Sequence, residues 1–358
     1  MATVVLAGGG TAGHIEPALA VGREWMKNHP ADTCVFLGTK SGLEVTLVPA
    51  AGFELTTIPR VRISRKPSVT WLRIPLDLIA SVVSSVRVVK KADVLVGFGG
   101  YVSAPAYLAA ALTKTPIVIH EANAKPGWAN RLGARFTSHL AVAHPVEEGP
   151  FAEALLAGLP LRSDVARSCA AIGNDWSKAR TDAKVRLGFS SDRPLIFIMG
   201  GSQGSAAINA VVAESITTFT DNKLSVLHSV GKLNALPDSV GGYKPVSYVD
   251  AMADAYLAAD LIIGRSGAVT CSEFRALGRY ALFVPLPIGN GEQFVNAASL
   301  VADGRAEIIS QSEFTADYIS AHLQGLLQKA SHAPIQGDPQ DLHAAEKIVA
   351  LTEFALKS

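Results

Sequence analysis

A glycine-rich turn between an apolar run and a helix-like stretch occurs twice in this chain, and the repetition limits the folds open to it. The first copy, VVLAGGGTAGH, runs from Val4 to His14; the second, LIFIMGGSQGS, runs from Leu195 to Ser205. Such a turn after a buried strand aims backbone amides at a ligand from the positive end of the following helix. Two copies, with glycines beginning at Gly8 and Gly200, predict an α/β fold of two doubly wound, Rossmann-like parallel-sheet domains facing an interdomain cleft. That pairing points towards nucleotide-sugar chemistry more than towards a single-domain nucleotide binder.

The spacing of the other apolar runs agrees. Val4–Ala7, Cys34–Leu37, Asp93–Val96 and Ile117–His120 read as short buried strands separated by helical stretches. The pattern restarts with Leu195–Met199, Ser225–His228, Leu261–Ile263, Phe283–Pro285 and Ala306–Ile309. With 358 residues, 49% of them hydrophobic and 18% charged, the chain can bury two cores. The expected division is residues 1–160 plus a C-terminal helix over 341–358 as one domain, with 161–340 as the other. No apolar stretch reaches the roughly 18 residues of a membrane span, and no basic-then-apolar leader is expected. Cys34, Cys169 and Cys271 have neither metal-ligand spacing nor an evident pairing, as in a reduced cytoplasm.

Several loops carry candidate chemistry. A nicotinamide enzyme would place an acid at the end of the second strand, where this chain has Leu37-Gly38-Thr39, so an oxidoreductase is disfavoured. His14 follows the first turn at a helix start. It either packs beneath the loop or acts as a general base, since the positive helix end resists its protonation. Gly97-Phe98-Gly99-Gly100-Tyr101-Val102-Ser103 again follows a strand and opens a helix. His120-Glu121-Ala122-Asn123 lies at a strand's carboxyl end without the second histidine of a zinc-binding HExxH helix, so no metal is expected. In the second half, Ser266 reads as the cap of a helix whose amides suit a pyrophosphate. Glu273, two turns further on, is placed to accept hydrogen bonds from ribose hydroxyls.

Between Arg60 and Lys91 there are eight basic residues and one acid, in a chain whose net charge is +1. Leu72, Leu76, Ile79, Val83 and Val86 form a helical stripe suited to the sheet, and Ile74, Leu78 and Val82 form a second, surplus row. With Trp71 and Arg60, Arg62, Arg65, Lys66 and Arg73, that row predicts a patch lying on anionic lipid. Nucleic acid fits less well, because the segment lacks interleaved aromatic residues.

The ordered motifs GGGTAGHIEPALA, GFGGYVSAPAYLAA, HEAN, GLPLR, GGSQGSAAIN, YVDAM, RSGAVTCSE and EQFVNA, over about Val4 to Ile309, resemble the MurG family of peptidoglycan glycosyltransferases. The resemblance implies the GT-B architecture and inverting transfer of N-acetylglucosamine from UDP-N-acetylglucosamine to lipid I, giving lipid II and UDP. It implies no cofactor and a peripheral place on the cytoplasmic face of the cell membrane. The implied partners are the UDP-sugar, the lipid I acceptor, the anionic membrane surface and proteins of cell-wall synthesis or division. Residue by residue, it makes His14 the candidate base, with Glu121 the alternative. Thr11, Ala12 and Gly13 fall in the first loop, which by the resemblance binds the sugar of UDP-N-acetylglucosamine and the acceptor pyrophosphate, and Gly10, Gly100 and Tyr101 fall on the acceptor side. Asn123, Arg162, Ser202 and Val249 (at the uracil) fall at donor positions. So do Ala268, Val269, Thr270, Cys271, Ser272 and Glu273, along the diphosphate and ribose, and Gln293, at the sugar hydroxyls. The chain departs from the family in having Ala12 for a common glycine, alanine for a frequent glutamine in HEAN, and no acid–histidine or acid–arginine pair before Gln293. A related GT-B enzyme with a different lipid acceptor, such as diacylglycerol, is the alternative.

Overall fold

In a computed structural model, residues 1–61, 74–173, 175–201, 203–232, 234–287 and 291–358 are described. The chain divides into two compact units, Met1–Arg162 with Asp341–Ser358, and Ser163–Gln340.

The first unit runs β1 (Thr3–Ala7), α1 (Ala12–Asn28), β2 (Thr33–Gly38), α2 (Glu44–Ala50), β3 (Glu54–Thr57), α3 (Ile74–Val89), β4 (Val94–Gly97), α4 (Ser103–Thr113), β5 (Ile117–Glu121), α5 (Trp128–Gly133), β6 (Leu140–Val142) and β7 (Leu155–Leu156). Its parallel sheet has the order β3-β2-β1-β4-β5-β6-β7. Alternation along the strands divides their side chains between two cores. Val4, Leu6, Phe36, Val94, Val96 and Val118 pack with Ile15, Leu19 and Trp25 of α1 on one face. Val5, Leu37, Leu95, Ile117 and Ile119 pack with Ala106, Tyr107 and Ala110 of α4 on the other.

The second unit runs α6 (Ser163–Ile172), α7 (Trp176–Arg186), β8 (Leu195–Met199), α8 (Ala206–Glu214), α9 (Ile216–Asp221), β9 (Ser225–Ser229), β10 (Tyr243–Val246), α10 (Met252–Ala258), β11 (Leu261–Gly264), α11 (Ala268–Ala276), β12 (Ala281–Phe283), α12 (Glu292–Ala302), β13 (Ala306–Ile308) and α13 (Ala316–His332). Its parallel sheet follows β10-β9-β8-β11-β12-β13, the same winding as the first six strands of the other sheet. One face buries Ile196, Ile198, Val226 and Ile263 against Ile208, Val212, Ile319 and Leu323. On α10 and α11, Tyr256 and Phe274 meet edge to face at 5.0 Å between centroids, with Phe197 and Phe283 of the strands beside them.

The last helix, α14 (Ala344–Lys357), packs Ile348, Val349 and Ala355 on the first sheet. Where the chain leaves and re-enters the first unit, Asp341 Oδ1 accepts from Leu159 N at 3.2 Å, and the Gly158 carbonyl accepts from His120 Nε2 at 2.9 Å. Gly158 has φ +88°, and a Cβ there would collide with Asp341 Oδ1.

Two expectations need correction. The helix after the first turn begins at Ala12, so His14 lies inside its first turn rather than at its start. On α3 the surplus row is reversed: Leu76 (67% exposed), Ile79 (59%) and Val83 (50%) face outward, while Ile74, Leu78 and Val82 are half-buried. The buried positions are Ser81, Ser85 and Val89, with the Ser85 hydroxyl donating to the Ser81 carbonyl. Small serines let α3 lie close on the alanine-rich α4, and that approach turns the large stripe away from the protein.

Candidate active site

In the first unit the loop after β1 is secured from beneath by Glu44, whose side chain is completely buried. Its Oε2 accepts from Gly10 N at 3.1 Å, and its Oε1 accepts from Thr39 N and Thr39 Oγ1, both at 2.8 Å. Thr11 precedes the helix, with its hydroxyl 3.1 Å from His14 Nδ1. The loop after β4 lies over the same imidazole. Gly99 (φ +88°) and Gly100 (φ +83°) are needed there for space as well as conformation. A Cβ on Gly99 would fall 3.3 Å from His14 Cδ2 and 3.3 Å from Asn130 Nδ2; one on Gly100 would fall 2.5 Å from the Gly9 carbonyl. Burial holds the His14 pKa below its ordinary value, opposed by the Glu121 charge and a hydrogen bond with the Gly9 backbone.

Glu121 ends β5, 2% exposed, with both carboxylate oxygens engaged. Oε1 accepts from Asn123 N (2.9 Å) and Asn123 Nδ2 (3.1 Å); Oε2 accepts from Gly127 N (2.8 Å) and Asn130 Nδ2 (2.9 Å). These bonds fold the segment from Asn123 to Asn130 around one buried charge. Tyr101, 42% exposed, stands beside Gly10 with the Arg60 guanidinium 5.7 Å from its ring centroid. Arg162 reaches Glu16 of α1, Nη1 to Oε1 at 3.5 Å.

In the second unit the loop after β8 leads to Ser205, which caps α8 by accepting from Ile208 N at 3.4 Å. Arg265, 8% exposed, links this loop to its neighbours. Nη2 donates to Ser205 Oγ (2.8 Å) and Gln311 Oε1 (2.6 Å), and Nη1 to the carbonyls of Val284 (2.8 Å) and Pro285 (3.0 Å). The cap of α11 is Gly267 rather than Ser266, because the extended conformation ends one residue later than expected. The Ser266 hydroxyl is instead buried with no hydrogen-bond partner among the described residues. Cys271, Ser272 and Glu273 are buried, and burial pushes the Cys271 thiol up to about 12, so it stays protonated. Gln293 Oε1 accepts from Leu286 N at 2.9 Å, and Asn296 Nδ2 donates to the Ser266 carbonyl at 3.4 Å.

Residues 4–142 match the glycosyltransferase family 28 N-terminal domain, and residues 195–350 match the glycosyltransferase family 28 C-terminal domain. A relative from Thermobifida fusca (strain YX) is 45% identical over 332 residues, covering 90% of this chain and 85% of its own. One from Corynebacterium diphtheriae is 44% identical over 323 residues, covering 89% and 86%. Both are named UDP-N-acetylglucosamine--N-acetylmuramyl-(pentapeptide) pyrophosphoryl-undecaprenol N-acetylglucosamine transferase. The chain belongs to the MurG family within glycosyltransferase family 28. The crystal structure of Acinetobacter baumannii MurG superposes with a TM-score of 0.70 at 27% identity, covering 99% of this chain and 100% of that one. A UDP-GlcNAc 2-epimerase from Neisseria meningitidis shares the fold, with a TM-score of 0.61 at 15% identity, covering 99% and 100%.

For this MurG-family chain, the fold gathers Gly10, Thr11, Ala12, Gly13, His14, Gly100, Tyr101, Glu121 and Asn123 at the carboxyl ends of β1, β4 and β5. In the second unit, Ala268 to Glu273 form the first turns of α11 and Gln293 lies in the first turn of α12. Val249, 6% exposed, lies between β10 and α10. Ser202, Arg62, Arg65, Lys66, Trp71 and Arg73 lie outside the described residues. Sequence reasoning missed Glu16, Glu44, Tyr107, Asn130 and Arg265. Arg265 adjoined a recognised loop. The glycines at positions 97 and 133 were a signal for Tyr107, since its ring fills the space a side chain at either would need.

Proposed function

We propose that this protein transfers N-acetylglucosamine from UDP-N-acetylglucosamine to the C4 hydroxyl of the muramoyl sugar of lipid I, forming lipid II and releasing UDP. The observation that carries this reading is 45% identity over 332 residues, spanning both units, to a relative bearing that activity's name. The acceptor oxygen bonds to the sugar C1 as the C1–O bond to the diphosphate breaks with inversion, and the hydroxyl proton passes to Nε2 of His14. His14 is favoured over Glu121 because burial keeps its ring neutral near pH 7, whereas both Glu121 oxygens are already occupied by four donors. Asn123 is held by Glu121 on the donor side, and Arg162 is steadied by Glu16 for the donor. The amino-termini of α8 and α11 offer positive dipole ends to the leaving diphosphate. Glu273 would take the ribose hydroxyls and Gln293 the sugar. Gly10, Gly100 and Tyr101, with Arg60 over the ring, would serve the acceptor.

The outward face of α3, with Leu76, Ile79 and Val83, would rest on the anionic cytoplasmic surface of the membrane, next to Arg87, Lys90 and Lys91. Among the described residues no helix is long and apolar enough to cross a membrane.

The test is transfer of radiolabelled N-acetylglucosamine from its UDP donor to a short-chain lipid I analogue, with diacylglycerol as the competing acceptor. Label in a disaccharide-lipid with equimolar UDP supports the reading; transfer to diacylglycerol alone overturns it. His14→Ala should lower kcat by about 10²- to 10⁴-fold with UDP affinity retained. Equal losses in both would make His14 structural.

A further inference from the structure

Glu121 ends a buried polar chain whose other members, Asn130 and Tyr107, have no part in the transfer described above. Tyr107, on α4, is completely buried, and its hydroxyl donates to Asn130 Oδ1 at 2.7 Å. The Asn130 amide then donates to Glu121 Oε2 at 2.9 Å and to the His120 carbonyl at 3.2 Å, so both ends of that side chain are committed. On its other side Asn130 Nδ2 shares Gly99 with the imidazole: a Cβ built on Gly99 would lie 3.3 Å from the amide nitrogen and 3.4 Å from His14 Nε2. Ser103, four residues before Tyr107, ties the same loop down, its hydroxyl reaching the carbonyls of Gly99 (2.7 Å) and Ala7 (2.9 Å). The Tyr107 ring fits a slot kept open by two glycines: a side chain at Gly97 would collide with it, and a Cβ at Gly133 would come within 2.6 Å. Burial holds the phenol far above its ordinary pKa, so it remains a donor throughout the working pH range.

We propose that Tyr107 is a positioning residue for the transfer: its hydroxyl fixes the Asn130 amide, and that amide in turn holds the Glu121 carboxylate and stands across Gly99 from His14. A donor is required at Tyr107 because the Asn130 carbonyl oxygen would otherwise be a buried acceptor without a partner among the described residues, which weakens the hold of the amide on Glu121. A phenylalanine ring would fill the slot equally well, so the hydroxyl alone is under test.

The inference rests on His14 as the base, and the experiment separates the two claims. Tyr107→Phe and His14→Gln are assayed beside the parent for kcat, for donor KM and for thermal unfolding. The expected result for Tyr107→Phe is about a tenfold fall in kcat, a donor KM within twofold of the parent and a Tm lowered by only a few degrees. A kcat within twofold of the parent overturns the proposal, as does a loss of kcat accompanied by an equal rise in donor KM and a broadened unfolding transition. Full kcat in His14→Gln overturns the base reading, while the behaviour of Tyr107→Phe still decides the positioning role.

Discussion

Acid should weaken each unit through one buried histidine. His120 in the first unit and His228 in the second are both 1% exposed. His120 Nε2 faces a carbonyl and must donate, leaving Nδ1 buried with no partner among the described residues. His228 Nε2 faces Asn209 Oδ1 at 3.1 Å, and its Nδ1 takes the Tyr243 hydroxyl at 2.8 Å. Each environment suits a neutral ring, and burial opposes a second proton at both. Burial pushes both pKa values down to about 4, with His144 adding to the effect at His120 and the Gly158 carbonyl opposing it.

The sign follows from linkage. An unfolded histidine takes its proton near pH 6.5 and these folded ones only near 4, so the unfolded chain binds more protons in between. Stability is fully present above about pH 6.5 and falls as the pH drops, by about 1.4 kcal/mol per unit for each ring. Between pH 6.5 and 5 that is about 2 kcal/mol per histidine, before most carboxylates titrate. His228→Gln keeps an acceptor for Tyr243 and a donor for Asn209 but cannot be protonated. Urea unfolding at pH 6.5 and 5 should therefore show the parent losing about 2 kcal/mol more than the variant. Equal losses in the two proteins would refute the reasoning, because His228 would then carry the same charge folded and unfolded.

Two further outcomes are expected. Arg265→Lys keeps the charge but not the fork, and should raise donor KM about tenfold while leaving acceptor KM near the parent value, in steady-state kinetics; an unchanged donor KM would show that the four contacts serve the fold alone. Replacing Leu76, Ile79 and Val83 together by serine should weaken co-sedimentation with anionic phospholipid vesicles by about a hundredfold or more, with turnover of a water-soluble acceptor unchanged, and undiminished sedimentation would remove α3 from the membrane reading.

The parts of the fold legible in the sequence were those in which neighbouring residues carry the information. Val4 to His14 encode strand, turn and helix in consecutive positions, and Leu195 to Ser205 repeat it, so both sheets could be anticipated. Glu44 was hidden because its partners, Gly10 and Thr39, become its neighbours only when β1 and β2 pair. Tyr107 was hidden for the same reason, since its partner Asn130 lies 23 residues along the chain. The error on α3 was different in kind: periodicity counted large apolar residues as the packing face, whereas helices approach most closely through small ones, here Ser81 and Ser85.

The two glycine turns, alike in sequence, are secured by charges of opposite sign, and this gives them different capacities. In the first unit a carboxylate, Glu44, holds the loop by taking the Gly10 amide, so a donor that could have met an anion is already committed. In the second unit a guanidinium, Arg265, holds the loops through carbonyls and hydroxyl oxygens and takes no amide. Apart from Ile208 N, which Ser205 takes, the backbone donors of the α8 and α11 starts are not used by these contacts, and the Arg265 charge is buried beside Ser205. A nucleoside diphosphate needs amides and positive potential together, and that combination belongs to the second turn. The first turn, with its loop anchored to an acid and His14 in the helix behind it, is better suited to orienting a neutral hydroxyl than to gripping a phosphate.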